Sequence, residues 1–370
     1  MEALKAGIEP LIDLERFLEP FGELVRRSES RHAIERYATG LISGAERKNT
    51  SELGRSLPGT SAQKLQELLT RTAWEPWAMD RLRIKHMCEF ASVGHGALII
   101  DDTGFAKKGH ASVGVARQYS GTLGRVDNSQ VQVTIHYVDH VFDWPVTARL
   151  YLPQGWGEDR QRRQKAHVPE SVGFETKGGI ALNLVDRARQ AEVPFSVVVA
   201  DAGYGDQPVL LDGLTTRGTA YVVGVSRTTH FRFKEWVDND SGDPAPPPYQ
   251  GKGRPPKSPS LEERVPGREG QEIIAGLPAE AWQLVAWRQG NRGPMVKEFA
   301  RARVYRTGLR GKHIPVVGWL LAERPLTNPE DLNQRKYYFA WQLEHLTLDE
   351  LIGLAHVRWV IERFYQDAKG

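Results

Sequence analysis

The 370-residue sequence predicts an α/β fold: a mixed sheet with helices on its faces, an N-terminal helical region and a β-rich insertion. Three observations predict it. Residues 1 to about 90 carry apolar residues at three- and four-residue steps. From about residue 96 the period becomes alternating or continuously apolar, with helical segments set between the apolar runs. A stretch rich in Pro, Gly and charge, 238–270, then separates these from four further strand-like runs and a last helix.

In the N-terminal region, LERFLEPFGELV places Leu14, Phe17, Leu18, Phe21, Leu24 and Val25 on one helical stripe. A second helix, SAQKLQELLTRTAW, starts at a Ser61 cap and carries Leu65, Leu68 and Leu69. The intervening ERKNTSELGRSLPGTSAQ fits either a small helix-turn-helix around Pro58–Gly59 or part of a plain helical bundle.

Next, GALIID reads as a short buried strand. NSQVQVTIHYVDH alternates Val131, Val133, Ile135 and Tyr137 against polar neighbours, and FDWPVTARLYLP is a third extended segment with its turn at Asp143-Trp144-Pro145. These three make a meander. The helix FETKGGIALNLVDRARQAEV, with Ile180, Leu184 and Val185 facing inward, leads into PFSVVVADAGYGD, an apolar strand from Ser196 to Ala200 that ends at Asp201. A short helix around VLLDGLTTRG and the strand AYVVGVS follow. The order β-β-β-α-β-α-β is that of a ribonuclease H-like core.

The segment 238–270 cannot bury enough apolar surface to order itself and reads as a disordered loop. WQLVAW, KEFARARVY, VVGWLLAE and YYFAWQL form a β-rich block after it. The last helix, TLDELIGLAHVRWVIERFYQDAKG, opens with a capping box, Thr347 with Glu350 three residues on. The expected organisation is a helical domain at 1–92, suited to DNA binding, the first part of the core at 93–227, the β-rich insertion at 228–343 and a final core helix at 344–370.

Hydrophobic content of 40% and charged content of 26% are those of an ordinary globular protein. No apolar run approaches the roughly 18 to 20 residues that span a bilayer, and the N-terminus lacks a signal-peptide core, so a cytoplasmic protein without a membrane partner is expected. A single cysteine, Cys88, excludes an internal disulfide framework and a thiolate zinc site built from one chain. The net charge of +3 neither demonstrates nor excludes a nucleic-acid partner. Local basic clusters stand at 160–165, 251–257 and 301–312, either as solvated surface or as contacts to a polyanion.

Two of the apolar strands, LIIDD and VVVAD, end in aspartate. In open α/β sheets ligands bind beyond the carboxyl ends of strands, so Asp102 and Asp201 would meet there if the two strands are neighbours. Magnesium takes hard oxygen ligands and keeps several waters, and two such ions roughly 3.5 to 4 Å apart form the clamp for in-line displacement at phosphate. A third carboxylate is available in Glu362. Arg358 lies four residues before it and Lys369 seven after, on one helical face. A surface ion-pair ladder is the alternative, although Leu351, Leu354, Ile361 and Phe364 spread over an arc broad enough to enclose this face.

Taken together, IIDDTGFAKKG, SVGVARQYSGTLGRVDNSQVQV, VVADAGYG and RWVIERFYQDAKG resemble the DDE transposases of bacterial insertion sequences, in particular the insertion sequence seven-hundred-and-one branch. The similarity runs over nearly the whole chain, including YATGLISGAERKN. The wider clan carries a helix signature Y-x2-R-x3-E-x6-K, which here selects Arg358, Glu362 and Lys369, with Ala355 where the clan has tyrosine.

The resemblance implies a catalytic and metal-binding triad of Asp102, Asp201 and Glu362 holding two Mg2+ ions, with Mn2+ as a substitute. It favours Asp102 over Asp101 through the family's Asp-Thr pairing, and adjacent strand residues point to opposite faces. It further implies metal-dependent cleavage and strand transfer of double-stranded DNA at transposon ends and target, by a homodimer in the bacterial cytoplasm, associated with the nucleoid. Arg358, Lys369, Lys107 and Lys108 would contact phosphates, which positions the backbone without reading sequence. A covalent aspartyl phosphotransferase of the haloacid-dehalogenase type would need a second aspartate two residues after the first, where Thr103 or Gly104 stands. The chain stops at Gly370, directly after Lys369, so a truncated or inactive DNA-binding descendant of a transposase is the alternative expectation.

Overall fold

The computed structural model describes residues 11–121, 124–240, 264–290, 293–307 and 316–369. The chain divides into two units, Met1–Glu89 and Phe90–Gly370. Among the described residues no helix is long and apolar enough to cross a membrane.

The first unit holds helices α1 (Ile12–Gly22), α2 (Ser28–Ile42), α3 (Thr50–Ser56), α4 (Ala62–Arg71) and α5 (Pro76–Cys88). Helices α3 and α4 start at side-chain caps: Asn49 accepts the N–H of Glu52 and Ser61 that of Lys64, each satisfying a donor that the first turn leaves free. Leu53, Leu57 and Leu65 bury together, which ties α3 to α4, and Gly59 takes a φ of 79° in the turn between them.

In the second unit, β1 (Gly96–Ala106), β2 (Ala116–Ser120), β3 (Arg125–Val138) and β4 (Asp143–Leu150) come first, then the short helices α6 (Gln154–Glu158) and α7 (Arg160–Lys165). Helix α8 (Lys177–Gln190) leads to β5 (Phe195–Ala200), α9 (Ala202–Gly205), α10 (Pro208–Thr216) and β6 (Ala220–Val225). There follow β7 (His230–Phe233), α11 (Lys234–Asp238), β8 (Arg268–Glu269), α12 (Gly270–Ala275), β9 (Gln283–Gly290), β10 (Gly293–Arg306), β11 (Val316–Arg324) and β12 (Lys336–Trp341). Helices α13 (Leu348–His356) and α14 (Trp359–Lys369) close the chain. Most of the loop expected at 238–270 lies outside the described residues.

Among the described residues twelve strands form one mixed sheet, in the order β2-β3-β1-β5-β6-β12-β11-β10-β7-β8, with β4 also on β3 and β9 also on β10. β1 is antiparallel to β3 and parallel to β5, which is parallel to β6. The strands of the β-rich block continue the same sheet, because β12 pairs antiparallel with β6.

The sheet's central strands are apolar on both sides, as strands covered by helices on both faces must be. On one face Ala97, Ile99, Val197, Val199 and Val222 pack against Leu351, Ile352, Val360 and Ile361 of α13 and α14. On the other side Ile180, Leu184 and Val185 of α8 are buried. Each such side chain contributes roughly 1.5–3 kcal/mol on burial, so the docking of α14 on the sheet is strongly fixed.

Three expectations need correction. The first strand does not end at its aspartates: β1 stays paired with β3 beyond Asp101 and Asp102 as far as Ala106. The last helix is not continuous: it breaks at Val357–Arg358, where the bonds from Val360 N–H to the Val357 carbonyl and from Ile361 N–H to the Arg358 carbonyl, at 3.2 and 3.1 Å, tighten the chain into a three-residue turn. The basic cluster at 160–165 is largely engaged within the fold. Arg162 stacks 3.7 Å over Trp156, Arg163 donates to the carbonyls of Gly157, Pro169, Glu170 and Val172, and Arg160 pairs with Glu170.

Candidate active site

β1 and β5 run parallel with Ile100 opposite Ala200, so the residues just beyond reach the same rim of the sheet. Asp201 stands there as the cap of α9, its carboxylate accepting the N–H of Tyr204 at 3.2 Å. The turn is fixed by close approach: a methyl group on Gly205 would overlap the Gly224 carbonyl oxygen of β6.

The alternation of β1 sends Ala97 and Ile99 toward α13 and α14, and Asp101 follows them to that face. Asp101 is only 8% exposed. Arg358 Nη1 donates to one of its carboxylate oxygens at 2.7 Å and the Asp102 N–H to the other at 2.8 Å. Asp102 leans the other way, where Nζ of Lys177, the first residue of α8, lies 2.7 Å from its Oδ2. Both aspartates nevertheless line one cleft together with Asp201, Tyr204, Arg358, Glu362 and Tyr365.

Arg358 connects the set. Besides Asp101 it holds Glu362 at 2.8 Å, one turn along α14, and Glu362 presents its carboxylate outward with a side-chain exposure of 60%. Its neighbour Ile361 is fully buried under the sheet, which orients this turn.

Burial pushes the Asp101 carboxyl up to about 7; Arg358 opposes that rise and Asp201 adds to it. Burial lowers the hold of Arg358 on its proton, but the charges of Asp101, Asp201 and Glu362 outweigh this and raise it. Tyr204 is pushed up by burial and then by Asp102, Asp101 and Asp201, and its hydroxyl is buried without a hydrogen-bond partner beside those carboxylates. Tyr365, whose hydroxyl bonds that of Thr134, is pushed up for the same reasons, burial first and Asp101 next.

The donors converging here are carboxylate oxygens, the chemistry that suits magnesium or manganese, and the unpartnered Tyr204 hydroxyl adds a further polar group at the same place. Among the described residues no three acidic or imidazole side chains are gathered at ligand spacing around one point; Lys177 pairs with Asp102, and Arg358 with Asp101 and Glu362. The residue types fit divalent cations. Their present arrangement is that of carboxylates neutralised by the protein's own cations.

Of the residues expected to meet phosphate, Arg358 lines the cleft. Lys107 and Lys108 follow the end of β1 and do not line it. Their turn is held by Asn128, which accepts the Lys107 N–H at 2.9 Å through its own carbonyl and donates to the Lys107 and Gly109 carbonyls at 2.7 and 2.9 Å. Lys369 ends α14, and its side chain lies outside the described residues. Sequence reading passed over Lys177, Tyr204 and Tyr365. Lys177 left a signal: a cation directly after the Thr176 cap opposes the helix dipole and calls for a partner.

The sequence pattern of the DDE superfamily endonucleases matches residues 17–294, a span that includes Asp101, Asp102 and Asp201 and stops before α13. A protein named as a probable transposase for insertion sequence element IS701, from Microchaete diplosiphon, is 30% identical over 193 residues, covering 52% of this chain and 48% of its own. The chain thus spans about half the length of the curated relative it matches. Among solved structures, the NurA nuclease from Sulfolobus solfataricus covers 75% of this chain and 79% of its own at 8% identity and a TM-score of 0.29, a likeness too loose to carry an argument. With the family pattern running through most of the chain and through Asp102 and Asp201, this protein belongs to the DDE superfamily endonucleases.

Proposed function

We propose that the chain is an insertion-sequence transposase that cuts and joins DNA strands by in-line phosphoryl transfer, with Asp102, Asp201 and Glu362 as the acids that hold divalent cations. The observation that carries this reading is the convergence of acids distant in sequence, from the middle of β1, the end of β5 and α14, on one cleft bridged by Arg358. The strand order β4-β3-β1-β5-β6, with β1, β5 and β6 parallel, supports reading this part as a ribonuclease H-like core.

In that reading Asp102, Asp201 and Glu362 would hold two Mg2+ ions, or Mn2+ in their place, which would supply charge neutralisation at the attacked phosphate and a lowered pKa for an attacking water. The protein's own residues do the rest. Arg358 and Lys177 neutralise the carboxylates and are the cations at hand to turn toward phosphate oxygens of an entering strand. Buried Asp101, paired with Arg358, sets where that guanidinium stands. Tyr204 and Tyr365 wall the cleft and limit water. Lys369, Lys107 and Lys108 are assigned to phosphates flanking the cut, the helices of residues 1–92 to double-stranded DNA at the element's ends, and the acting form to a homodimer.

The test is Asp201→Ala. Strand cleavage and joining of a DNA carrying the element's terminal repeats should be lost in Mg2+ and in Mn2+ while the protein stays folded and still shifts the DNA. Cleavage at the wild-type rate by that variant would sink the assignment.

A further inference from the structure

A second charged cluster lies under the break between α13 and α14, and the proposed reaction makes no use of it. Glu323, in β11, has no solvent exposure. His356 Nε2 reaches it at 2.6 Å, Lys297 Nζ from β10 at 2.7 Å and the Tyr338 hydroxyl from β12 at 3.4 Å. Burial pushes its carboxyl up, yet the hydrogen bonds from His356 and Lys297 outweigh burial and hold it at about 2.

His356 is the last residue of α13. Its ring stacks on Trp287 with centroids 4.2 Å apart, and its Nδ1 faces the Ile352 carbonyl at 2.9 Å. A carbonyl and a carboxylate only accept, so both ring nitrogens donate. The imidazole is thereby fixed in position and rotation between the end of α13 and the sheet. Two residues later comes Arg358, and the turn made there carries Glu362 to the cleft.

We propose that Glu323 and His356 are positioning residues: the buried carboxylate of β11, gripping His356, sets the place where α13 stops, so that α14 restarts with Arg358 and Glu362 aimed at the aspartates. No residue between Leu354 and Ile361 is Gly or Pro, and Gly353 lies inside α13 rather than at the break, so the sequence alone does not place the stop at Val357–Arg358. The pairing also makes the β-rich strands part of the site's scaffold, since Glu323, Lys297 and Tyr338 all come from them. The proposal rests on the metal-site reading given above for its functional consequence, but not for its structural content.

Two measurements on the full chain test it. The first is hydrogen exchange of residues 357–362 without metal. His356→Phe, which keeps a ring but cannot donate, should raise exchange there at least tenfold and leave β11 unchanged, while His356→Gln, which can still donate to Glu323, should recover most of the protection. Unaltered exchange in a folded His356→Phe overturns the proposal. The second is calorimetric titration with Mn2+ in a cycle with Glu362→Gln. His356→Phe should weaken binding by about 10- to 100-fold, as loss of a residue supporting a ligand does, and should have no further effect once Glu362 is Gln. An equal loss in both backgrounds would mean a merely structural role and overturns it. If His356→Phe does not fold, Glu323→Gln, of the same volume, is read in the same cycle. If Glu362→Gln alone binds Mn2+ like the wild type, the metal-site reading falls, and the exchange data still decide the positioning.

Discussion

Replacing Arg358 with Met probes the electrostatics of the cleft directly. The guanidinium lies 2.7 Å from Asp101 and 2.8 Å from Glu362, and it opposes the burial that pushes Asp101 up to about 7. Two unit charges about 4 Å apart interact by about 4 kcal/mol at an effective dielectric constant near 20. The Arg358 side chain is 28% exposed, so water screens part of this and fills part of the space Met leaves. Taking roughly half of what remains gives about 1–2 kcal/mol, or about one pH unit at 1.36 kcal/mol per unit.

The Asp101 carboxyl in Arg358→Met should therefore titrate near pH 8. A raised carboxyl binds its proton more tightly when folded, so the stability it contributes is present at low pH and is lost as pH rises through the folded value. In the wild type that loss runs from about 4 to about 7, and in the variant it should extend about one unit further. A cation held beside Asp101 by Asp102, Asp201 and Glu362 displaces the same proton through its charge. Mn2+ titrations in buffers of different ionisation enthalpy count the protons released. The wild type should release about half a proton at pH 7 and almost none by about pH 8.5, whereas the variant should still release about a quarter of one there. A release midpoint in Arg358→Met equal to or below that of the wild type would refute the reasoning.

Other perturbations follow from the same contacts. Lys177→Met removes the cation from Asp102, a partly exposed pair worth up to about 1 kcal/mol, so Mn2+ should bind up to about fivefold tighter in calorimetry without DNA; weaker binding would mean that Lys177 supports the cation rather than competes with it. Gly205→Ala forces a methyl group into the Gly224 carbonyl and should cost about 1–3 kcal/mol in urea unfolding, and an unchanged midpoint would deny the tight turn that carries Asp201. Glu323, held at about 2 against an ordinary 4.5, contributes stability that is present above about 4.5 and lost as pH falls through about 2. The loss is on the order of 3 kcal/mol, and Glu323→Gln should flatten that part of the acid unfolding curve.

The parts of this site that were legible in the sequence are those set by short-range patterning. A continuous apolar run broken by aspartate marks the end of β5 at Asp201, but in β1 the same pattern falls in mid-strand, where Asp101 is buried and the strand runs on to Ala106. The Thr347–Glu350 capping box is present as spelled, with the Thr347 hydroxyl accepting the Glu350 N–H and the Glu350 carboxylate accepting the Thr347 N–H. The break at Val357–Arg358 was not legible, since every residue there tolerates a helix and the contacts that accompany the break, His356 with Glu323 and Arg358 with Asp101, join residues far apart in sequence. The partners of charge clusters were not legible for a related reason. Arg163 looks like free basic charge in RQRRQK, but four backbone carbonyls claim it, and only tertiary structure brings them within reach. The continuation of the sheet from β6 to β12 likewise depends on a pairing across more than a hundred residues, such as Val223 with Phe339, for which no local pattern exists.

The choice between Asp101 and Asp102 turns on facing. Asp102 carries the family's Asp-Thr pairing and meets Lys177, whereas Asp101 shares the α14 face with Arg358 and Glu362. Anomalous diffraction from crystals of the protein with Mn2+ tests both this choice and the central claim. Anomalous density is expected in the cleft lined by the β1 aspartates, Asp201 and Glu362, within bonding distance of Asp201 and at least one of the β1 aspartates, with Arg358 or Lys177 displaced from its carboxylate. Mn2+ bound elsewhere, with Asp102–Lys177 and Asp101–Arg358–Glu362 intact at saturating metal, would contradict it.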